Sequence, residues 1–315
     1  MRNNVLAVLV ISLASSALAQ LPQATVLYHQ GRYEEAKRML NASRNDPQSL
    51  LLLGRIAMAE GNTEAGVELI EKAIEKKPNV AEFYYQLGAG YGEMAQNASI
   101  FKKASYATKA RDAMEHAVSL DPNFLPVRFG LIDYYMLAPS IVGGSEEKAK
   151  QQAAEIAKRD AFQGHRAMAR VYTRQKKLDL ARNEFLAAVR EQPNSAAAHT
   201  ALGLFYALND KSYPIAFQQL DAAIAADPAY MPAYIRVGQV AALSVSNLNR
   251  GEEALKKYLT YVPAEEEPSL ASAWYYLGLV HEKQGRKADA KQDFTNALRF
   301  SPTSKPVQEA IKRVS

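Results

Sequence analysis

Cysteine is absent from this 315-residue sequence. Without it the chain can form neither disulfide bonds nor thiolate metal sites, and it has no thiol that could carry a lipid. Histidine occurs only five times, and the sequence lacks the HExxH zinc motif, the GxSxG motif and the lysine-containing phosphate loop. We therefore expect a protein that is not an enzyme and that needs no cofactor and no metal ion.

Long hydrophobic runs are also scarce. Beyond residue 19 no stretch approaches the roughly 20 apolar residues of a membrane-spanning helix. The first 19 residues combine one arginine, an apolar run from Val5 to Leu13, and Ala17 and Ala19 in an A-x-A pattern. This pattern is typical of a secretory signal peptide. We expect residues 1–19 to be cleaved after Ala19, which predicts a periplasmic or secreted protein without membrane insertion after cleavage.

The excess of positive charge is small, at a net +5, and identifies no class of partner. One local cluster is basic and raises nucleic acid as a partner: Lys102, Lys103, Lys109 and Arg111. Two acidic residues, Asp112 and Glu115, are interleaved with this cluster. We interpret it as a solvated helix face and expect no nucleic-acid partner.

A repeated pattern runs through most of the chain. The segments YYQLGAGY (84–91), HRAMARVY (165–172), HTALGLFY (199–206) and WYYLGLVH (274–281) share an aromatic residue or histidine, then leucine or methionine, then a small residue. A second pattern follows, of alanine, a bulky residue, a small residue and proline, as in Ala290, Phe294, Ala297 and Pro302. Equivalent positions, such as 168 and 202, are 34 residues apart. This pattern resembles the tetratricopeptide repeat (TPR) family, whose unit is a helix–turn–helix.

The resemblance implies an all-α fold, a right-handed TPR superhelix or α-solenoid of about eight repeats. The array is expected over residues 20–304, with repeats at about 20–46, 47–80, 81–124, 125–161, 162–195, 196–230, 231–270 and 271–304. Small residues such as Gly88 and Gly238 let paired helices approach closely. Residues 305–315 place Val307, Ala310 and Val314 on one face, which predicts a C-terminal capping helix that covers the end of the array.

Three repeats depart from the common length, and the seventh does so through a longer turn, SVSNLNRGEE at 244–253. The third carries a surplus, ASIFKKASYATK, which predicts a longer second helix or turn. The fourth carries LAPSIVGGSEEKA at 137–149, where Pro139 ends one helix, Gly143 and Gly144 turn the chain and Ser145 caps the next helix. Together these features resemble a group of exported bacterial TPR proteins and, distantly, the regulator-of-microtubule-dynamics family. Neither resemblance implies a defined activity.

A stripe of three arginines marks the candidate binding site. Arg166, Arg170 and Arg174 have the i, i+4, i+8 spacing that places side chains on one helix face. The TPR resemblance implies that this face lines the concave groove formed by the first helices of successive repeats. On the same register it places Tyr85, Phe129, Asp133, Thr200 and Leu204, and further along the chain Ile235 and Gln239.

One carboxylate, Asp133, faces three guanidinium groups on this register, and several neighbours are apolar. Arginine binds carboxylates through paired hydrogen bonds. The sequence therefore predicts a non-catalytic scaffold whose groove binds an acidic and apolar peptide segment or partner protein. Two alternatives stay open: Asp133 and water neutralise the stripe, or the protein is a structural subunit of a cell-envelope complex that docks by its convex face or N-terminal end.

Overall fold

The computed structural model describes residues 20–315. The predicted signal peptide, residues 1–19, lies outside the described residues. Residues 20–315 form helices joined by turns and contain no strand, which confirms the all-α prediction. The chain divides into two compact units, one of residues up to Leu120 together with Arg299–Thr303, the other of Asp121–Leu298 together with Ser304–Ser315.

The first unit is a stack of three helix pairs. Its helices are α1 (helical residues 20–29), α2 (Tyr33–Leu40), α3 (Pro47–Ala59), α4 (Thr63–Lys76), α5 (Ala81–Asn97) and α6 (Ile100–Leu120). Within this stack α3 pairs with α4 and α5 with α6. The predicted surplus of the third repeat lies in α6, whose 21 residues compare with 14 in α4, the second helix of the preceding pair. The surplus therefore lengthens a helix rather than a loop.

Small and large residues alternate in the core of the first unit, as the repeat pattern requires. Phe83 is fully buried, and a Cβ on Gly88 would lie only 2.7 Å from Met114 Cγ. Residues far apart in sequence also belong to this unit, because the Tyr33 hydroxyl donates a hydrogen bond of 2.8 Å to the backbone carbonyl of Phe300. The segment 299–303 thus completes the packing of the first unit.

The second unit continues the same arrangement. Its helices are α7 (Leu125–Leu137), α8 (Glu146–Ala157), α9 (Ala161–Arg174), α10 (Leu178–Glu191), α11 (Ala196–Phe205), α12 (Tyr213–Ala226), α13 (Met231–Ser244), α14 (Leu248–Leu259), α15 (Leu270–Lys283), α16 (Lys287–Leu298) and α17 (Lys305–Val314). Consecutive helices from α7 to α16 form helix–turn–helix pairs, and α17 packs on α16. A π-helical turn at Tyr206–Asp210 extends α11. The C-terminal α17 buries Val307, Ala310 and Val314.

The turn between α7 and α8 follows the sequence prediction. Helix α7 ends at Leu137, and Gly143 has a φ of +95°, a backbone conformation that favours glycine. A Cβ on Gly144 would overlap the Ala138 carbonyl oxygen, so only glycine fits there. Ser145 Oγ then accepts a hydrogen bond of 3.2 Å from the Lys148 amide. Ser145 is therefore the predicted N-cap of α8.

Candidate functional site

The arginine stripe lies on α9, whose two faces differ sharply. The helix begins after Asp160, whose carboxylate accepts a hydrogen bond of 2.9 Å from the Gln163 amide. Ala167 and Val171 are fully buried on the face that packs against the neighbouring helices. The opposite face exposes Arg166, Arg170 and Arg174. The predicted one-sided stripe is therefore present.

This exposed face borders a cavity of about 640 Å³ within the second unit. Most of the predicted site residues line it: Phe129, Arg166, Arg170, Arg174, Thr200 and Leu204. Asp133 contacts two of these arginines from α7. Tyr85 belongs to the first unit and does not line this cavity. The second unit thus brings together residues from α7, α9 and α11 at one surface.

Asp133 binds two arginines of the stripe rather than one. Its carboxylate accepts hydrogen bonds from Arg170 Nε, at 2.6 Å, and from a second nitrogen of the same guanidinium. Arg174 Nη2 lies 3.6 Å from Asp133 Oδ1. Both arginine side chains are 42% exposed, so water screens these pairs and each contributes about 1 kcal/mol or less. Two of the three charges on the stripe therefore already face an anion.

Arg166 has different surroundings. Its guanidinium donates a hydrogen bond of 2.7 Å to the neutral Gln163 side chain and lies over the rings of Phe129 and Phe162, 5.7 and 5.8 Å from their centroids. It forms no ion pair with any residue that the structure describes. Burial against the cavity wall lowers the pKa of Arg166, and the like charge of Arg170 acts in the same direction. Its positive charge is thus only partly solvated and has no bonded counterion.

A fourth arginine faces the cavity from α13. The sequence register placed Ile235 and Gln239 in the groove, and this prediction is wrong: Ile235 is fully buried and Gln239 is 6% exposed. Both α11 and α15 pack on α13 and enclose these positions, so Arg236 lines the cavity instead. Burial lowers the pKa of Arg236, which donates a hydrogen bond of 2.8 Å to Gln239. It is the single charged residue of α13, a signal that sequence reasoning missed.

The connection between α14 and α15 adds an acidic edge to the cavity. Glu266, Glu267 and Pro268 of this connection line it. Burial raises the pKa of Glu266, while the positive charge of Arg166 partly offsets that rise. The lining therefore combines four arginines with a short acidic segment, and its charge is not uniformly positive.

Thr200 contributes a buried hydroxyl at the cavity wall. The residue is 6% exposed, and its Oγ1 has no hydrogen-bond partner among residues 20–315. A buried hydroxyl without a partner costs about 1–3 kcal/mol relative to one that is hydrogen-bonded. A molecule in the cavity that offers a donor or an acceptor at this position would remove that cost.

Comparison with known families identifies the repeat. Residues 21–81 and 166–230 match one model described as the tetratricopeptide repeat, and residues 271–304 match a second model with the same description. The chain belongs to the tetratricopeptide repeat family. TPR repeats generally mediate protein–protein interactions, and TPR proteins are generally non-catalytic scaffolds. The matched stretches include most of α9 and all of α11, which line part of the cavity.

Known proteins resemble this TPR chain in part of its length or in fold. The rhomboid protease GluP of Bacillus subtilis is 39% identical over 83 residues, which are 25% of this chain and 16% of that protein. Yeast Tom70 matches with a TM-score of 0.60 and 17% identity, over 95% of this chain and 63% of the other. A TPR protein of Parabacteroides merdae matches with a TM-score of 0.47 and 15% identity, over 85% and 98%. At 17% identity the likeness to Tom70 shows the fold alone.

A second group of ionisable residues lies away from the cavity, between α14, α15 and α16. Glu252 Oε1 is 2.6 Å from Lys256 Nζ, and Glu252 Oε2 accepts a hydrogen bond of 2.9 Å from Arg286. Burial alone would raise the pKa of Glu252, but hydrogen bonds from Lys256 and Arg286, together with the His281 ring 3.3 Å away, lower it to about 2. His281 also lies 2.5 Å from Asp293, whose pKa is raised by burial. This network ties three helices together.

Two further features of the described chain bear on its chemistry. Residues 20–315 contain no group of three or more His, Asp or Glu side chains arranged to hold a metal ion. In the same range no helix is both long enough and apolar enough to cross a membrane.

Proposed function

We propose that the TPR array binds an acidic and apolar peptide segment, or a partner protein that presents one, in the cavity of its second unit. The observation that carries the proposal is Arg166, a partly desolvated guanidinium without a carboxylate partner among the described residues. Arg170 and Arg174, by contrast, share Asp133. A carboxylate of the ligand is the group that would complete this arrangement.

The cavity also defines what should flank that carboxylate. The rings of Phe129 and Phe162 hold the Arg166 guanidinium, and Leu204 and Tyr230 add apolar surface beside it. A peptide with one acidic side chain between aliphatic or aromatic residues matches this lining. A uniformly acidic peptide matches it less well, because Glu266 and Glu267 would repel further negative charge at the edge.

We further propose that the protein acts as a scaffold without catalysis or cofactor, and that it is exported to the periplasm or secreted after cleavage behind Ala19. The support for export is the composition of residues 1–19, with the short apolar run and small residues of a signal peptide. Intact-mass spectrometry of the protein from its native cells should give a chain that begins at Gln20. An uncleaved chain would contradict the proposed export.

A peptide array tests the proposed ligand class. Short peptides that combine Asp or Glu with Leu, Phe or Tyr are compared with the same peptides carrying Asn or Gln, and titration calorimetry then measures the strongest binders. Loss of one charge-assisted hydrogen bond costs about 1.5–3 kcal/mol. The substitution Arg166→Gln should therefore weaken binding by about 10-fold to 150-fold. Circular dichroism should show an unchanged fold, because the Arg166 guanidinium forms no ion pair within the described chain and its hydrogen bond goes to the neutral Gln163 side chain.

Arg250→Gln is the matched control. Arg250 also lies over an aromatic ring, 5.5 Å from the centroid of Phe217, but it is not among the residues that line the cavity. Its substitution should leave peptide affinity unchanged. Equal affinity of the wild type and Arg166→Gln would mean that the cavity is not the binding site. An array without any acidic binder would favour the alternative of a structural subunit that docks by its convex face or N-terminal end.

A further inference from the structure

The start of α6 presents two bulky apolar side chains to solvent. We call residues 98–105 the α6 tip. Ile100 is 80% exposed and Phe101 is 91% exposed. Residues 101–105 are all exposed, although α6 packs closely on α5 further along its length. Exposed apolar residues that stand singly are common, but two adjacent ones this open point to an interaction surface.

The charge around this apolar pair is of one sign. Lys102 and Lys103 follow directly, both are exposed, and neither forms an ion pair with another described residue. From Met94 to Arg111 the sequence has no Asp or Glu. The α6 tip therefore joins an apolar end to a positively charged surround.

We propose that the α6 tip docks on the surface of an anionic lipid bilayer. Ile100 and Phe101 would enter the boundary between headgroups and acyl chains, and Lys102 and Lys103 would lie among the anionic headgroups. A lipid surface suits this tip because it deforms around protruding side chains, whereas a protein partner would need a complementary pocket. A nucleic acid would contact the two lysines through its phosphates, but it would offer no apolar surface to bury the aliphatic side chain of Ile100.

The contact is peripheral, since no helix within residues 20–315 can cross a membrane. It is also weak and reversible, because a few side chains supply all of the attraction. Each lysine near an anionic surface contributes about fivefold to partitioning. Each buried bulky apolar side chain contributes about tenfold or more. The two kinds of contribution can therefore be removed separately and measured.

Sedimentation of the full chain with large vesicles provides the test. The vesicles are phosphatidylcholine alone, or phosphatidylcholine and phosphatidylglycerol at a ratio of about 2:1. We expect binding to the anionic vesicles that weakens as salt rises. The double substitution Ile100→Ser with Phe101→Ser should reduce partitioning by about 100-fold or more, and Lys102→Gln with Lys103→Gln by about 25-fold.

The chain offers a matched control for each variant. Lys76→Gln with Lys77→Gln removes two adjacent exposed lysines of the same unit, and Ile141→Ser removes an isoleucine that is 92% exposed. Both controls should bind the anionic vesicles as the wild type does. Circular dichroism should show that all variants fold, because every substituted side chain is exposed.

Three results would overturn the proposal. The first is no binding to anionic vesicles beyond that to phosphatidylcholine. The second is binding that the Ile100 and Phe101 substitutions leave unchanged, which would reduce the contact to the lysines. The third is tighter binding to a labelled RNA oligonucleotide that depends on Lys102 and Lys103 and is indifferent to the apolar pair, which would assign the tip to nucleic acid.

Discussion

Substitution Glu252→Gln tests the ionic network that ties α14, α15 and α16. The Glu252 side chain is 13% exposed. Its carboxylate accepts hydrogen bonds from Lys256 and Arg286, and the His281 ring lies 3.3 Å away. These contacts lower the pKa of its folded form from 4.5 to about 2. Glutamine has nearly the same shape but stays neutral, so the substitution mimics the protonated carboxyl at every pH.

The expected magnitude follows from the pKa shift. One pKa unit corresponds to about 1.4 kcal/mol, so the shift amounts to about 3 kcal/mol of stability at neutral pH. Because the folded pKa of Glu252 lies below its unfolded value, this stability is present above about pH 4.5 and is lost as pH falls towards 2. Glu252→Gln should thus be less stable than the wild type by about 3 kcal/mol at pH 7 and by less than half of that at pH 3.

Urea unfolding followed by far-ultraviolet circular dichroism, at both pH values, measures this difference, and hydrogen exchange of the amides in α14 to α16 locates it. The control is Glu253→Gln, because Glu253 is the next residue along the chain and is exposed. It should change stability by less than about 0.5 kcal/mol. Equal losses for the two variants at pH 7, or a Glu252→Gln loss that does not change with pH, would refute the reasoning.

Four further tests, three single substitutions and one double-mutant cycle, probe packing and charge elsewhere. Gly144→Ala should destabilise the protein by at least about 2 kcal/mol in urea unfolding, because a Cβ overlaps a backbone carbonyl oxygen. Gly92→Ala, where a Cβ meets nothing within 4 Å, should stabilise α5 by up to about 1 kcal/mol. A double-mutant cycle of Asp133→Asn and Arg170→Gln should give a coupling of about 1 kcal/mol or less, and a value above 2 would show that solvent does not screen this pair. Burial acts to lower the pKa of His165, but hydrogen bonds to Glu184 and Glu191 raise this pKa overall. The protonated His165 therefore stabilises the folded protein below about pH 6.5, and this stabilisation is lost as pH rises through the folded pKa. His165→Gln should therefore cost more stability at about pH 6 than at pH 9, and equal costs would contradict this assignment.

The repeat architecture and the arginine stripe could be predicted because both depend on local periodicity. A small residue packs against a large one in several helix pairs, as Gly88 does against Met114 and Gly278 against Phe294. This recurrence at a fixed spacing is what predicts the helix pairs from the sequence. The spacing of Arg166, Arg170 and Arg174 likewise defines one helix face from the sequence alone.

Features that arise where several helices meet could not be predicted in this way. The TPR register predicted the wrong groove residues on α13, because α11 and α15 both pack on this helix and bury Ile235. Arg236 is the residue of α13 that contributes a charge to the cavity lining. The acidic segment with Glu266 reaches the cavity from a connection outside the repeat pattern, so no register describes it. The shared role of Asp133 depends on the distance between two helices, which the sequence does not specify.

The hydrogen bond from Tyr33 to Phe300 affects the order in which the protein can reach its native state. In an array with contacts only between neighbouring repeats, each repeat can fold as soon as it has been synthesised. Here the two partners are 267 residues apart in sequence, and a Cβ on Gly31 would lie 2.7 Å from Phe300 Cδ1. The packing around Gly31 and Tyr33 is therefore complete only after Phe300 has been synthesised. A truncated or stalled chain keeps that N-terminal surface uncovered, where proteases and chaperones can distinguish it from the finished molecule.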